Sequence, residues 1–287
     1  MKAKIFSASV FALIIFNFAF AASAATTINA VNHHAYAANL GWIDARGDVA
    51  NGAVIGEYVC AGSIYSANAG WISLGSGSPA NQIQYQNNSA ADYGVNQDGA
   101  GNLTGYAYAA NIGWLNFENT GAPKVDLKTG NLSGSVWSAN CGWISLSNAT
   151  ASVQTDTIQK GALAPNGLPI AWLLQNFGTT NINASADADG DGVSNGNEYL
   201  AGTDPNSATS VLKITDITRA PALFNTTLTW NSVATRCYAV QTNNELSSAA
   251  WGDFFAPPTL GLNTASVIDT TATNRFYRIR AFRPLTP

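Results

Sequence analysis

The chain has 287 residues, with 13 Lys and Arg against 17 Asp and Glu, a formal charge of −4 and only 10% charged residues. The acidic balance argues against nucleic acid as a partner, because phosphates require a cationic face. Charged groups at less than half the usual ~25% leave solubility to Asn, Ser, Thr and Gly, as in many extracellular β proteins.

Lys2 and Lys4 precede the apolar run "VFALIIFNFAF", which ends in Ala22, Ser23 and Ala24. This pattern predicts a secretory signal peptide over 1–24, cut after Ala24 or, as the alternative, after Ala21. The expected mature chain of 263 residues carries 11 basic and 17 acidic groups, a charge of −6. It is expected to be extracellular or at the cell surface, with no transmembrane segment. Its length suits two domains at ~100–200 residues each. Cys60, Cys141 and Cys237 make an odd count, so at most one intrachain disulfide can form. A Cys60–Cys141 pair and buried free thiols both remain open.

A repeat organises residues 25–152. "AYAANLGWIDA" begins at Ala35, "IYSANAGWISL" at Ile64, "AYAANIGWLNF" at Ala107 and "VWSANCGWISL" at Val136. The leading aromatics Tyr36, Tyr65, Tyr108 and Trp137 stand 29, 43 and 29 residues apart, so the domain reads as a duplicated pair of units. Apolar and small residues alternate on both sides of Ala-Asn-x-Gly or its equivalent, which predicts a hairpin in each unit. "KVDLKTGNLSG" and "YGVNQDGAGNLTG" add a further strand and turn before the later units, giving meanders of about 29 residues. About ten or more short strands would form a β-sandwich or a closed barrel. Trp42, Trp71, Trp114 and Trp143 each follow the leading aromatic by six residues, a spacing that pairs them across one hairpin register. Core packing is the expectation for them, since a repeated core needs a repeated aromatic. A platform facing a glycan, matrix or another surface protein is the functional alternative. Asn39, Asn68, Asn111 and Asn140 read as turn residues.

Residues 165–207 hold the most specific chemical signal. "DADGDGVSNGNE" places Asp187, Asp189, Asp191, Val193, Asn195 and Glu198 at positions one, three, five, seven, nine and twelve of a calcium loop, with Gly192 at the sharp turn. Carboxylates, the Val193 carbonyl and a bidentate Glu198 supply the oxygens a hard cation requires. A helix entered at Pro169 and closed by Gly178 precedes the loop, and a short one closed by Gly202 follows. The segment resembles the calcium-binding thrombospondin type three and dockerin-like repeats that join domains in bacterial secreted and surface proteins. That resemblance implies a structural role for the metal.

From 211 to 287, "VLKITDIT", "TTLTWNSV", "CYAVQTN", "WGDFFA", "ASVIDT" and "RFYRIRAF" predict a small β-sandwich. The module resembles the fibronectin-like domains that follow such calcium segments. Arg275, Arg278, Arg280 and Arg283 form a basic cluster read as a solvated edge, with Arg278 and Arg280 on one face.

No residue pattern points to catalysis: Gly-x-Ser-x-Gly, Cys-x-x-Cys and His-Glu-x-x-His are all missing, and the chain is read as a non-enzyme. The repeats resemble, more loosely, secreted copper-binding proteins of methane-oxidising bacteria, which implies copper held by histidines and an oxidised Trp. Here only His33 and His34 are available, and Asp44, Ser73, Asn116 and Ser145 stand where a Gly-Trp-x-His arrangement would place a histidine. Adjacent residues on a regular strand point to opposite faces, which sets His33 and His34 apart.

Overall fold

The computed structural model describes residues 25–220, 225–247, 251–253, 259–268 and 275–286. The leader expected at 1–24 lies outside them. The chain is mainly β with two short helices, and among the described residues no helix is long and apolar enough to cross a membrane.

The four Gly-Trp units are hairpins. They comprise β1 (Ile28–Ala37) with β2 (Gly41–Asp44), β3 (Ala61–Ser66) with β4 (Gly70–Ser76), and, after β5 (Val95–Gln97), β6 (Leu103–Ala109) with β7 (Gly113–Asn116). A short ribbon of β8 (Lys124–Val125) and β9 (Leu132–Ser133) precedes the last hairpin, β10 (Ser135–Ser138) with β11 (Gly142–Ser145), and β12 (Ser152–Thr155) follows. Antiparallel pairing runs through the four hairpins in order, and β11 returns to β1 with Tyr36 opposite Ser145 and Ala37 opposite Ile144. The eight hairpin strands therefore close into a barrel, which leaves the ring without free edges. Each three-residue turn is followed by a glycine that opens the next strand, Gly41, Gly70, Gly113 or Gly142, at φ between 71° and 78°, a conformation that other residues adopt only with strain.

Tyr36 faces Trp42, Tyr65 faces Trp71, Tyr108 faces Trp114 and Trp137 faces Trp143, the register that their six-residue spacing predicts. Their face corrects the expectation of core packing. Trp42, Trp71, Trp114 and Trp143 are 51, 50, 44 and 46% exposed on the outside of the barrel. The interior is filled instead by one large and one small residue at each junction between units: Ile43 opposite Ser66, Ile72 opposite Ala109, Leu115 opposite Ser138, and Ile144 opposite Ala37. The large residues of these pairs belong to one core with Ile28, Ile55, Leu74, Val95, Leu103, Leu132 and Val153, and the period of two that turns them inward sends the bulky aromatics outward.

The motif asparagines do more than turn the chain. Asn39 Nδ2 donates to the Cys141 carbonyl at 3.3 Å, Asn68 to Leu40 at 3.0 Å, Asn111 to Ala69 at 3.1 Å and Asn140 to Ile112 at 3.0 Å. Each unit thus bonds to the one before it and the first bonds to the fourth, a closed ring at one barrel end. Leu40, Ala69, Ile112 and Cys141, the variable residue of each turn, are buried beneath it.

Helix α1 (Ile170–Phe177) is entered at Pro169, and α2 (Asn195–Ala201) follows the acidic loop; left-handed Gly178 and Gly202 close them. Trp172, Leu173 and Tyr199 form a small core that packs on Tyr58 of the barrel domain. The C-terminal strands are β13 (Ile214–Ala220), β14 (Asn225–Trp230), β15 (Cys237–Asn243), β16 (Gly252–Asp253), β17 (Thr259–Leu260), β18 (Thr264–Ile268) and β19 (Phe276–Phe282). One sheet orders β13-β14-β18; in the other, β16, β17 and β19 all pair with β15. Leu228, Trp230, Tyr238 and Val240 form the buried core of this module.

One buried ionic cluster ties the three parts together. Glu57 of the barrel domain accepts from Tyr199 Oη of α2 at 2.7 Å, and lies 3.3 Å from Arg236 and 2.8 Å from Arg283 of the C-terminal module. Arg236 also donates to the Tyr199 carbonyl at 3.0 Å. Arg283, read from sequence as part of a solvated edge, is 3% exposed, because burying Glu57 requires a paired cation. Arg278 and Arg280 do share a face: Arg278 donates to Gln241 and lies 4.5 Å over the Trp251 ring centroid, and Arg280 lies 3.6 Å from Asp253. Cys60, Cys141 and Cys237 are free thiols.

Candidate functional site

The loop between α1 and α2 is folded by its own acids. Asp187 accepts from the Gly190 and Gly192 N–H groups at 2.7 and 2.8 Å, Asp189 Oδ1 from Asp191 N at 3.2 Å, and Asp191 Oδ1 from Val193 N at 2.7 Å. Asn195 Nδ2 is held by the Asn183 carbonyl at 3.0 Å. These bonds use one oxygen each of Asp189 and Asp191 and the nitrogen of Asn195. The remaining atoms, Asp189 Oδ2, Asp191 Oδ2, Asn195 Oδ1 and Glu198 Oε2, are buried without a hydrogen-bond partner. Carboxylate oxygens of Asp187, Asp189 and Asp191 lie within 4.8 Å of one another. Glu198 is fully buried, and burial, followed by the charges of Asp189 and Asp191, pushes its carboxyl up to about 7. The backbone N–H of Gly192 is the main cause holding Asp187 below its usual value.

So many unpartnered oxygens beside like charges are costly unless a cation joins them. Their chemistry fits calcium: all are hard oxygen donors, from residues at the spacing of a calcium loop. Asp187, Asp189, Asp191, Asn195 and Glu198 come from a single turn and the first residues of α2, so local sequence suffices to assemble them. Asp204, three residues after the end of α2, is a turn residue that accepts from Asn206 N at 3.0 Å.

A second cluster corrects the separation expected for the two histidines. Strand β1 shifts register against β12 between Ile28 and His33, and both imidazoles end up beside one another, with ring centroids 3.9 Å apart. His33 Nδ1 lies 2.7 Å from Asp44 Oδ1, and the His34 ring meets Trp42 edge-on at 5.9 Å. Ligand atoms of His33, His34 and Asp44 fall within 4.8 Å of one another. Two imidazoles and a carboxylate suit a borderline transition metal such as copper.

The exposed aromatics form a belt around the barrel. Their cross-strand ring centroids are 5.3, 5.0, 4.8 and 5.1 Å apart in the four units, with interplanar angles of 58–68°. Open clefts adjoin Trp42, Trp114 and Trp143. Spacing alone locates these pairs but does not say which face of the sheet they occupy.

The Glu57 cluster had no comparable signal. Glu57 and Arg236 are 179 residues apart, and neither sits in a motif. Comparison of the chain with protein-family models, with curated proteins and with solved structures finds no match.

Proposed function

We propose that the chain is an exported, calcium-binding, non-catalytic protein of the cell surface or extracellular matrix, whose barrel contacts glycans, matrix or another surface protein. The observation that carries the calcium reading is the set of inward-turned, unpartnered oxygens of Asp189, Asp191, Asn195 and Glu198. With Asp187 and the Val193 carbonyl they would hold calcium, which supplies the positive charge that relieves the buried Glu198 and orders α2. The thrombospondin type three and dockerin-like resemblance of the loop, and the fibronectin-like resemblance of the C-terminal module, support a structural joint. The exposed aromatic belt supports the binding role, since indole and phenol faces beside Asn and Ser suit sugars. Isothermal titration is expected to show one calcium site, lost in Glu198→Gln; wild-type protein that gives no calcium heat overturns the reading. A glycan array run with Trp71→Ala and Trp143→Ala tests the belt, and no binding by correctly folded wild type removes its glycan role.

The convergence of His33, His34 and Asp44 favours a second reading, a secreted copper-binding protein. Metal analysis of protein from its native source, with mass spectrometry of Trp42, decides it. Copper-free protein with an unmodified Trp42 removes it.

A further inference from the structure

The barrel has near-fourfold repetition, and one place breaks it. The second and third units are separated by 43 residues instead of 29, and the additional chain leads into β5, which pairs with the first half of β6 and whose Val95 joins the barrel core. This segment is held rigidly by buried polar side chains. Asn96 accepts from Tyr85 N and donates to the Tyr85 carbonyl, both at 2.9 Å, and Asp92 accepts from Ala80 N at 3.1 Å and Gln86 N at 3.2 Å. Asn87, at φ 55°, accepts from Gly94 N at 3.0 Å. The segment delivers Tyr93 to Trp114, with ring centroids 5.1 Å apart at 84°, while Tyr106 meets the same indole at 6.1 Å and 75°.

The result is an open cleft of about 440 Å³ lined by Asn87, Asn88, Ser89, Tyr93, Tyr106 and Trp114. Its size is within the ~300–1,000 Å³ of small-molecule sites. No ionisable carboxylate, amine or guanidinium lines it, so an ionic ligand would find no counter-charge. The aromatic walls offer C–H-binding faces, and exposed Asn88 and Ser89 offer amide and hydroxyl groups at the rim. We propose that this cleft is a binding site for an uncharged sugar ring of a polysaccharide, stacked on Trp114 and hydrogen-bonded by Asn88 and Ser89. The proposal rests on the glycan-contacting reading of the belt and places its principal site in the third unit.

Affinity electrophoresis through gels containing dextran, laminarin, mannan or hydroxyethyl cellulose, with alginate as the anionic comparison, tests it. Wild-type protein is expected to be retarded by at least one neutral polymer. Trp114→Ala and Tyr93→Ala are expected to weaken that retardation at least tenfold, Trp71→Ala, the equivalent belt residue of the second unit, to weaken it less than Trp114→Ala does, and Phe276→Ala, at an exposed aromatic of the C-terminal module, to leave it unchanged. Thermal unfolding checks each variant, and if Trp114→Ala melts early, the half-buried Tyr93 decides. Equal losses in Trp71→Ala and Trp114→Ala overturn the cleft while leaving the belt reading intact. Retardation by alginate alone, or by none of the polymers, overturns it outright.

Discussion

A single side-chain amide in each unit couples it to its neighbour around the barrel, because Asn Nδ2 donates to a turn carbonyl that has no ladder partner there. Replacing Asn111 by Ala removes one such bond and is expected to destabilise the barrel by about 0.5–1.5 kcal/mol, read as a lower urea midpoint. Asn111→Asp keeps the shape but loses the donor, so it should be no better than Ala. The thiols give a residue-scale test of burial. Burial pushes Cys60 up to about 12, so it stays a neutral thiol throughout the ordinary pH range, and Cys141 is buried in its turn. Cys237 is only partly buried, and burial raises its pKa as well. Iodoacetamide at pH 8 is therefore expected to label native protein slowly and at Cys237 alone, with Cys60 and Cys141 labelled only after denaturation. Mass spectrometry of the labelled peptides checks this.

At the scale of the hairpin, the barrel interior works by matching a large residue of one unit to a small residue of the next, as Ile72 does to Ala109. Ala109→Leu overfills this position and is expected to cost about 1–3 kcal/mol. Ile72→Ala leaves a cavity and costs about 2–5 kcal/mol. Because the two positions face each other, the double exchange should cost less than the sum, a coupling that denaturant unfolding of the four proteins measures. The hairpins themselves were legible from sequence. Turn glycines, alternation and the six-residue aromatic spacing are all short-range, and the helix ends at Pro169, Gly178 and Gly202 follow equally local rules. The histidine pair was not legible, because strand alternation sets the direction of each Cβ and not where the imidazole beyond it comes to rest.

In the whole molecule, consecutive residues of α2 serve two sites: Glu198 turns to the acidic loop and Tyr199 to Glu57, which also holds Arg236 and Arg283. Glu57→Gln leaves two buried guanidinium groups without their carboxylate and is expected to cost about 3–5 kcal/mol. Calcium is expected to raise the thermal midpoint of the wild type, since a ligand bound only by the folded state stabilises it. The increment should shrink in Glu57→Gln, where ordering α2 no longer completes the interlock. Calorimetry with calcium and with EDTA measures both increments, and equal values would show that the loop and the cluster act independently.

The sequence by itself determined the repeat, which shows as the recurrence of one string, and the hairpin register, the helix limits and the acidic oxygen donors of the loop, each of which depends on residues within about a dozen positions of one another. Only the tertiary structure decided that the sheet closes, which of its faces is inside, where the two histidines meet and what neutralises Glu57. Strand alternation states that Trp114 and Leu115 point opposite ways, but it is silent on which one enters the core. That choice fell to the volume of a closed barrel, which admits Leu115 beside Ser138 and leaves Trp114 and its counterparts on the outer surface.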